Sequence, residues 1–122
     1  MLEQGLLPTT VSTDVTKGSV NGPVYGLTVT MSKLLELGLP FEAMIAMTTV
    51  NPARAVRIDD RKGSLKPGMD ADISVLEIIA GSWPLPDSHG NLLNVTRLIR
   101  PSMTVKAGVP IPPLCVPIKT QD

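Results

Sequence analysis

The spacing of apolar and polar positions changes character twice along this chain. Thr9-Thr10-Val11-Ser12-Thr13 is β-branched and compact, follows Pro8 and runs straight into Asp14, which predicts a strand ending at a carboxylate. Val15 to Pro23 then holds Gly18, Ser19, Asn21 and Gly22, a loop by composition. From Pro23 the period becomes helical, with Val24, Leu27, Met31, Leu34 and Leu35 on one apolar stripe. Gly38 lies just past the last turn, where a left-handed cap is expected. Pro40 opens a second predicted helix with Phe41, Met44, Ile45 and Met47 inward. Asn51-Pro52-Ala53 signals a short third helix, with Asn51 as cap and Pro52 at the first helical position, where no donor is lost.

After Ile58 the pattern shifts again. Asp59-Asp60-Arg61-Lys62-Gly63 is a polar turn, and Gly63-Ser64-Leu65-Lys66-Pro67-Gly68 is a second punctuated stretch. Asp70 to Leu76 alternates as a strand with Ala71, Ile73 and Val75 on one face. Gly81 to Gly90 is expected to be a loop, because Pro84 and Pro86 oppose regular structure. Two further strands are expected, Leu92 to Ile99 and Met103 to Val105, before a Pro-rich tail that begins at Pro110 and pairs little. The early strand–loop–helix unit is α/β in character, yet it contains a single strand, and a parallel sheet needs partners on both sides.

Composition narrows the function classes. The chain has 122 residues, 43% of them apolar and 2% aromatic, so Leu, Val, Ile, Ala and Met must fill its core. Eleven basic residues balance eleven acidic ones, leaving no electrostatic footprint for nucleic acid or an anionic membrane. No apolar run approaches the roughly 18 residues that cross a bilayer. The first residues lack the basic start and apolar core of a secretory signal, and Cys115 is the lone cysteine, so a reducing cytoplasm is the expected location. That expectation also discounts the glycosylation pattern Asn94-Val95-Thr96.

Three segments in order, Thr9 to Asp14, Thr49-Val50-Asn51-Pro52-Ala53 and Gly63-Ser64-Leu65-Lys66-Pro67-Gly68-Met69-Asp70-Ala71-Asp72, resemble the amidohydrolase superfamily, in particular its dihydroorotase-like deacetylases. The glycine-spaced third segment is the most specific, and Thr104-Val105-Lys106-Ala107-Gly108 is similar to the family's final strand and turn. The resemblance implies a TIM-like (β/α)₈ barrel with a small β domain, a fold whose barrel alone takes ~200 residues or more. Residues 1–58 would hold the last barrel strand, its active-site loop and the following helices. Residues 59–109 would hold the C-terminal share of a small β-sandwich domain, and 110–122 the Pro-rich tail. The expected function is thus that of the C-terminal segment of a metal-dependent hydrolase acting on C–N amide bonds, as a deacetylase or cyclic amidase.

Active residues in such barrels sit at the C-terminal ends of strands, where Asp14 falls. Spacing alone leaves Asp14 open between capping a loop and ligating a metal. The resemblance implies the second, with Asp14 a ligand of a divalent metal, zinc by default and one or two ions, and the general base. Such a metal polarises a carbonyl and lowers the pKa of its water to about 7. Lys17, Ser19, Asn21, Gly22 and Pro23 would border a small amide or ester substrate, a role as open as that of a solvated loop. The family's remaining ligands, histidines and a lysine or carboxylate, have no counterpart here, and His89 reads as a solvated loop residue. Asp70 and Asp72 read as surface or turn carboxylates rather than a calcium site, which takes six or more oxygens. Met31, Met44 and Met47 read as core. The chain alone is expected to be inactive, to bind little or no zinc and to leave apolar helix faces exposed. The full-length enzyme is expected to be a homo-oligomer. The alternative is a non-catalytic relative that uses the barrel for protein interaction, or an independent small α+β module.

Overall fold

A computed structural model describes residues 4–17, 26–87 and 89–113. Its elements are three helices, α1 (Leu27–Glu36), α2 (Phe41–Thr48) and α3 (Val50–Ala55), followed by three strands, β1 (Ile73–Pro86), β2 (Leu92–Lys106) and β3 (Val109–Ile111). The strands make one antiparallel sheet in the order β1-β2-β3. Val24, Ser19, Asn21, Gly22, Pro23 and Cys115 lie outside the described residues.

α1 ends where the sequence punctuation places its end. Gly38 takes φ 90°, its N–H donates to Leu35 O at 3.2 Å, and Leu39 N–H donates to Leu34 O at 3.1 Å. This paired closure satisfies the last carbonyls and folds Leu39 back into the core beside Leu35. Pro40 then occupies the N-cap of α2 with its carbonyl accepting from Met44 N–H at 3.0 Å. Met31, Leu35, Leu39, Met44, Met47 and Ile99 form the main buried cluster. Each contributes about 1.5–3 kcal/mol by leaving water. The methionine stripes are core, as their spacing predicts. Phe41 is an exception: it is 37% exposed, because Ala43, Met44 and Met47 carry the inward face of α2.

α3 differs in its cap. Thr49, not Asn51, is its N-cap, so Asn51 and Pro52 stand inside the first turn. Pro52 is still harmless there, since the first N–H groups of a helix have no intrahelical partner. Gly63 packs against this helix with φ 88°, and a Cβ on it would lie 2.9 Å from Ala53 Cβ and 3.0 Å from Thr49 O. Only glycine fits both the left-handed backbone and that approach.

The sheet is longer and more continuous than its sequence suggests. β1 runs through Trp83 to Pro86 where a loop is expected, with Pro84 opposite Asn94 and Pro86 opposite Leu92. β1 is an edge strand, and residues two apart direct their N atoms to the same side. Two prolines at that spacing therefore cost no ladder bond if both face outward. β2 likewise fuses the two expected strands into one, passing through Pro101. There the register slips: Val75 faces Met103 and Leu76 faces Pro101, leaving Ser102 as an extra residue. A second slip between Ala80 and Trp83 restores the register. The bulge also changes which β1 residue turns inward: Leu76 packs on the core while Val75 is 44% exposed. Pro110, expected in a non-pairing tail, pairs with Val105 in short β3.

α1 covers the side of β2 that β3 does not reach. Ser32, fully buried, accepts from Ile99 N–H at 2.8 Å and donates to Thr28 O at 2.7 Å. One turn on, Glu36 accepts from Thr96 N–H at 2.9 Å and from its hydroxyl at 2.8 Å. A serine and a glutamate four apart share one helix face, so together they satisfy strand-edge donors that water or another strand would otherwise take. Val29, Leu85 and Val95 complete the contact as a second buried cluster against Trp83 and Leu93.

Candidate functional site

The predicted strand from Thr9 to Thr13 does not form as one among the described residues: Thr9 stands in a bend and residues 10–13 have no ladder partner. Among the described residues, two bonds hold it to α2 and α3. Val11 N–H donates to Met47 O at 3.0 Å, and Asn51 Nδ2 donates to Thr9 O at 2.8 Å. Val11 also packs against the main core cluster, so the middle of the segment is anchored and its end projects. Asp14 stands on that end, exposed, with φ 50°. A left-handed backbone is uncommon for a residue with a Cβ, although aspartate tolerates it better than most. Val15 N–H donates to Thr13 Oγ1 at 3.4 Å just beside it. Lys17 follows in an exposed turn on the same segment.

The structure therefore brings Asp14 and Lys17 onto one exposed stretch, and Asn21, Gly22 and Pro23 lie outside the described residues. Among the described residues no group of three His, Cys, Asp or Glu side chains converges to hold a metal. His89 is exposed in the β1–β2 turn, where its N–H donates to Asp87 Oδ1 at 2.8 Å. The donor set that catalytic zinc requires, three protein ligands and an open position, is not met by Asp14 and its neighbours.

The best-connected charges lie elsewhere. Lys62 Nζ pairs with Asp70 at 2.7 Å and with Asp72, while Lys106 Nζ reaches Asp72 Oδ2 at 2.7 Å. Asp72 Oδ1 also accepts from Ala107 N–H at 2.9 Å. Hydrogen bonds from Lys106, Lys62 and Ala107 N–H hold the Asp72 carboxyl well below the usual carboxylate range. Lys62 does the same to Asp70, and the two carboxylates in turn raise the Lys62 ammonium. Asp70 and Asp72 are thus turn carboxylates tied to lysines. Their work is structural: Asp72 clamps the Ala107-Gly108 turn to the segment entering β1. Ala107, at φ 50°, and Gly108, at φ 80°, form the two-residue turn between Lys106 and Val109. Sequence reasoning missed this cluster because Asp72 and Lys106 are 34 positions apart and share no local spacing.

A shallow groove of about 370 Å³ lies between α3 and this cluster, with Thr48, Ala53, Val56, Lys62 and Asp72 in its wall. Asp14 does not line it.

Comparison with known proteins bears on what Asp14 belongs to. Residues 7–112 match the model of the Amidohydrolase family. The chain belongs to this family. Among amidohydrolase relatives, a deacetylase from Agrobacterium fabrum is 38% identical over 104 residues, covering 85% of this chain and 25% of that protein. A deacetylase from Brucella anthropi is 36% identical over 104 residues, covering 85% of this chain and 26% of that protein. The structure is similar to an adenine deaminase, with TM-score 0.85 and 34% identity over 92% of this chain and 30% of that one. It is also similar to a dihydroorotase, with TM-score 0.83 and 36% identity over 91% and 30% respectively. This amidohydrolase chain spans about a quarter of the length of the two deacetylases. No helix among its described residues is long and apolar enough to cross a membrane.

Proposed function

We propose that this chain is the C-terminal segment of a metal-dependent amidohydrolase that hydrolyses C–N amide bonds, of deacetylase or cyclic-amidase type, and that it is inactive in isolation. The observation that carries the reading is the extent of the family match, which begins at residue 7 and so takes in Asp14 and the segment that presents it. Deacetylase and deaminase relatives together support hydrolysis at a carbon–nitrogen bond. In this reading residues 9–14 are the last strand of a (β/α)₈ barrel, and their lack of a β partner among the described residues reflects barrel strands encoded elsewhere. The three-stranded sheet is then a share of the small β domain.

Asp14 supplies one oxygen donor set at the mouth of such a barrel, where active residues gather. A divalent metal bound there would polarise the scissile carbonyl. The residues described do not complete its ligand set, so the role of this chain is to present one carboxylate, poised to take up and return a proton at Oδ. The substrate is a small amide, and an ester would be open to the same attack. Metal analysis and hydrolysis assays on the purified 122-residue chain test the reading. The expected result is no stoichiometric zinc and no turnover of N-acetylated amino acids. Chelator-sensitive, stoichiometric metal with turnover would contradict it.

A further inference from the structure

Asn51 stands where a helix cap is expected and does something else. Its side-chain amide leaves α3 and donates to the Thr9 carbonyl at 2.8 Å, across 42 positions of sequence. Among the described residues the receiving segment is also tied by a backbone bond from Val11 to Met47 and by the packing of Val11 against the core. We propose that Asn51 is a positioning residue for Asp14, fixing the base of the Thr9–Asp14 segment so that its carboxylate is presented at one place and in one backbone conformation. The proposal rests on the reading of Asp14 as the reacting carboxylate, and it concerns how that carboxylate is held.

The geometry gives the amide a task that few other side chains could perform. Thr9 stands in a bend with no strand partner among the described residues, so no ladder bond there serves its carbonyl. Asparagine is short, so its amide bonds to that carbonyl from a rigid helical turn with two side-chain torsions to restrain. Met47, at the end of α2, and Asn51, at the start of α3, then grip the segment at Val11 and Thr9, two residues apart. The α2–α3 corner therefore holds the segment at two points. Asp14 lies three residues beyond Val11, close enough that release of the grip at Thr9 reaches it. Its left-handed φ needs the surroundings to sustain it, so a loosened segment should abandon that conformation.

The test is ¹⁵N relaxation and amide hydrogen exchange on the whole chain, comparing the parent with Asn51→Ala and with the nearly isosteric Asn51→Asp, which has no amide donor. In the parent, Asp14 is expected to show an order parameter near that of rigid backbone, about 0.85, falling below about 0.6 in both variants. The Val11 amide is expected to exchange at least about tenfold faster, a factor that corresponds to 1.4 kcal/mol. Amides within α3 should keep their protection. A merely structural role in α3 would loosen the helix and leave Asp14 unchanged. Unchanged order at Asp14 in both variants overturns the proposal, as does a parent in which Asp14 is already mobile. Because the readout is order rather than turnover, failure here is distinct from failure of the hydrolase reading. That reading falls if substitution of Asp14 leaves an active amidohydrolase unaffected.

Discussion

Removing one hydroxyl from the centre of the helix–sheet contact provides a sharp test of how this structure holds together. Ser32 is fully buried, and Ile99, whose N–H it accepts, is 2% exposed. In Ser32→Ala that N–H loses its partner in a place water does not reach, which costs about 1–3 kcal/mol. Two effects work against the loss. Alanine is the better helix former, returning up to about 0.5 kcal/mol, and the bond from Ser32 to Thr28 O is a local one within the helix that stabilises little. The net destabilisation is about 1–2 kcal/mol. For a chain of this size each kcal/mol lowers Tm by roughly 3–6 °C. Thermal and urea unfolding followed by circular dichroism measure it, with an unchanged urea m-value showing that the folded state is intact. Ser82→Ala is the control, since that hydroxyl donates to Asn94 at 2.8 Å on an exposed surface. Its effect should stay within about 0.5 kcal/mol. If Ser32→Ala melts like Ser82→Ala, the claim that α1 satisfies the edge of β2 is refuted.

Asp72 and Asp70 have folded-state pKa values depressed by their lysine partners. Their stabilisation is fully present above the unfolded value of about 3.9. It is lost as pH falls below that toward the folded values. Stability should therefore decline modestly as pH falls below about 4, and Asp72→Asn should lower stability at pH 7 while flattening the acid limb. Identical pH slopes in urea unfolding of the two chains would refute this. Ala107 holds a left-handed φ in a two-residue turn that favours Asn-Gly. Ala107→Asn should raise stability by about 0.5–1 kcal/mol, given the ~1–2 kcal/mol that a left-handed backbone costs alanine. A lower Tm in Ala107→Asn would count against the turn assignment.

Parts of this fold were legible in the sequence and parts were not, for reasons that lie in the interactions. Local signals worked where the cause was local. Gly38 and Pro40 end one helix and begin the next because backbone geometry alone demands it there. Met31, Met44 and Met47 are buried because helical spacing puts them on one face. The β1 strand through Pro84 and Pro86 was hidden, because a proline's cost depends on whether the strand's far side is paired, which is a property of the sheet. The role of Asn51 was misassigned for the same kind of reason: its amide can cap a helix or bond to a distant carbonyl, and only the approach of Thr9 decides between them. For the candidate site, Asp14 could be located at the end of the β-branched run from Thr9 to Thr13. The two bonds that anchor the segment come from Met47 on α2 and Asn51 on α3, which no spacing within residues 9–14 encodes.

The most direct measurement concerns Asp14 in an assembled enzyme. The 104 matched residues of the Agrobacterium fabrum deacetylase can be replaced by their counterparts from this chain, giving a chimera of full relative length. Hydrolysis of an N-acetylated substrate is then compared with and without Asp14→Asn, with metal content measured in both. If Asp14 is the proton-transferring carboxylate of an amidohydrolase site, the chimera is active. The substitution then lowers kcat by about 10²–10⁴-fold, the range that a positioned acid–base group contributes. Full activity in Asp14→Asn, or a folded, metal-loaded chimera that never hydrolyses the substrate, would contradict the account.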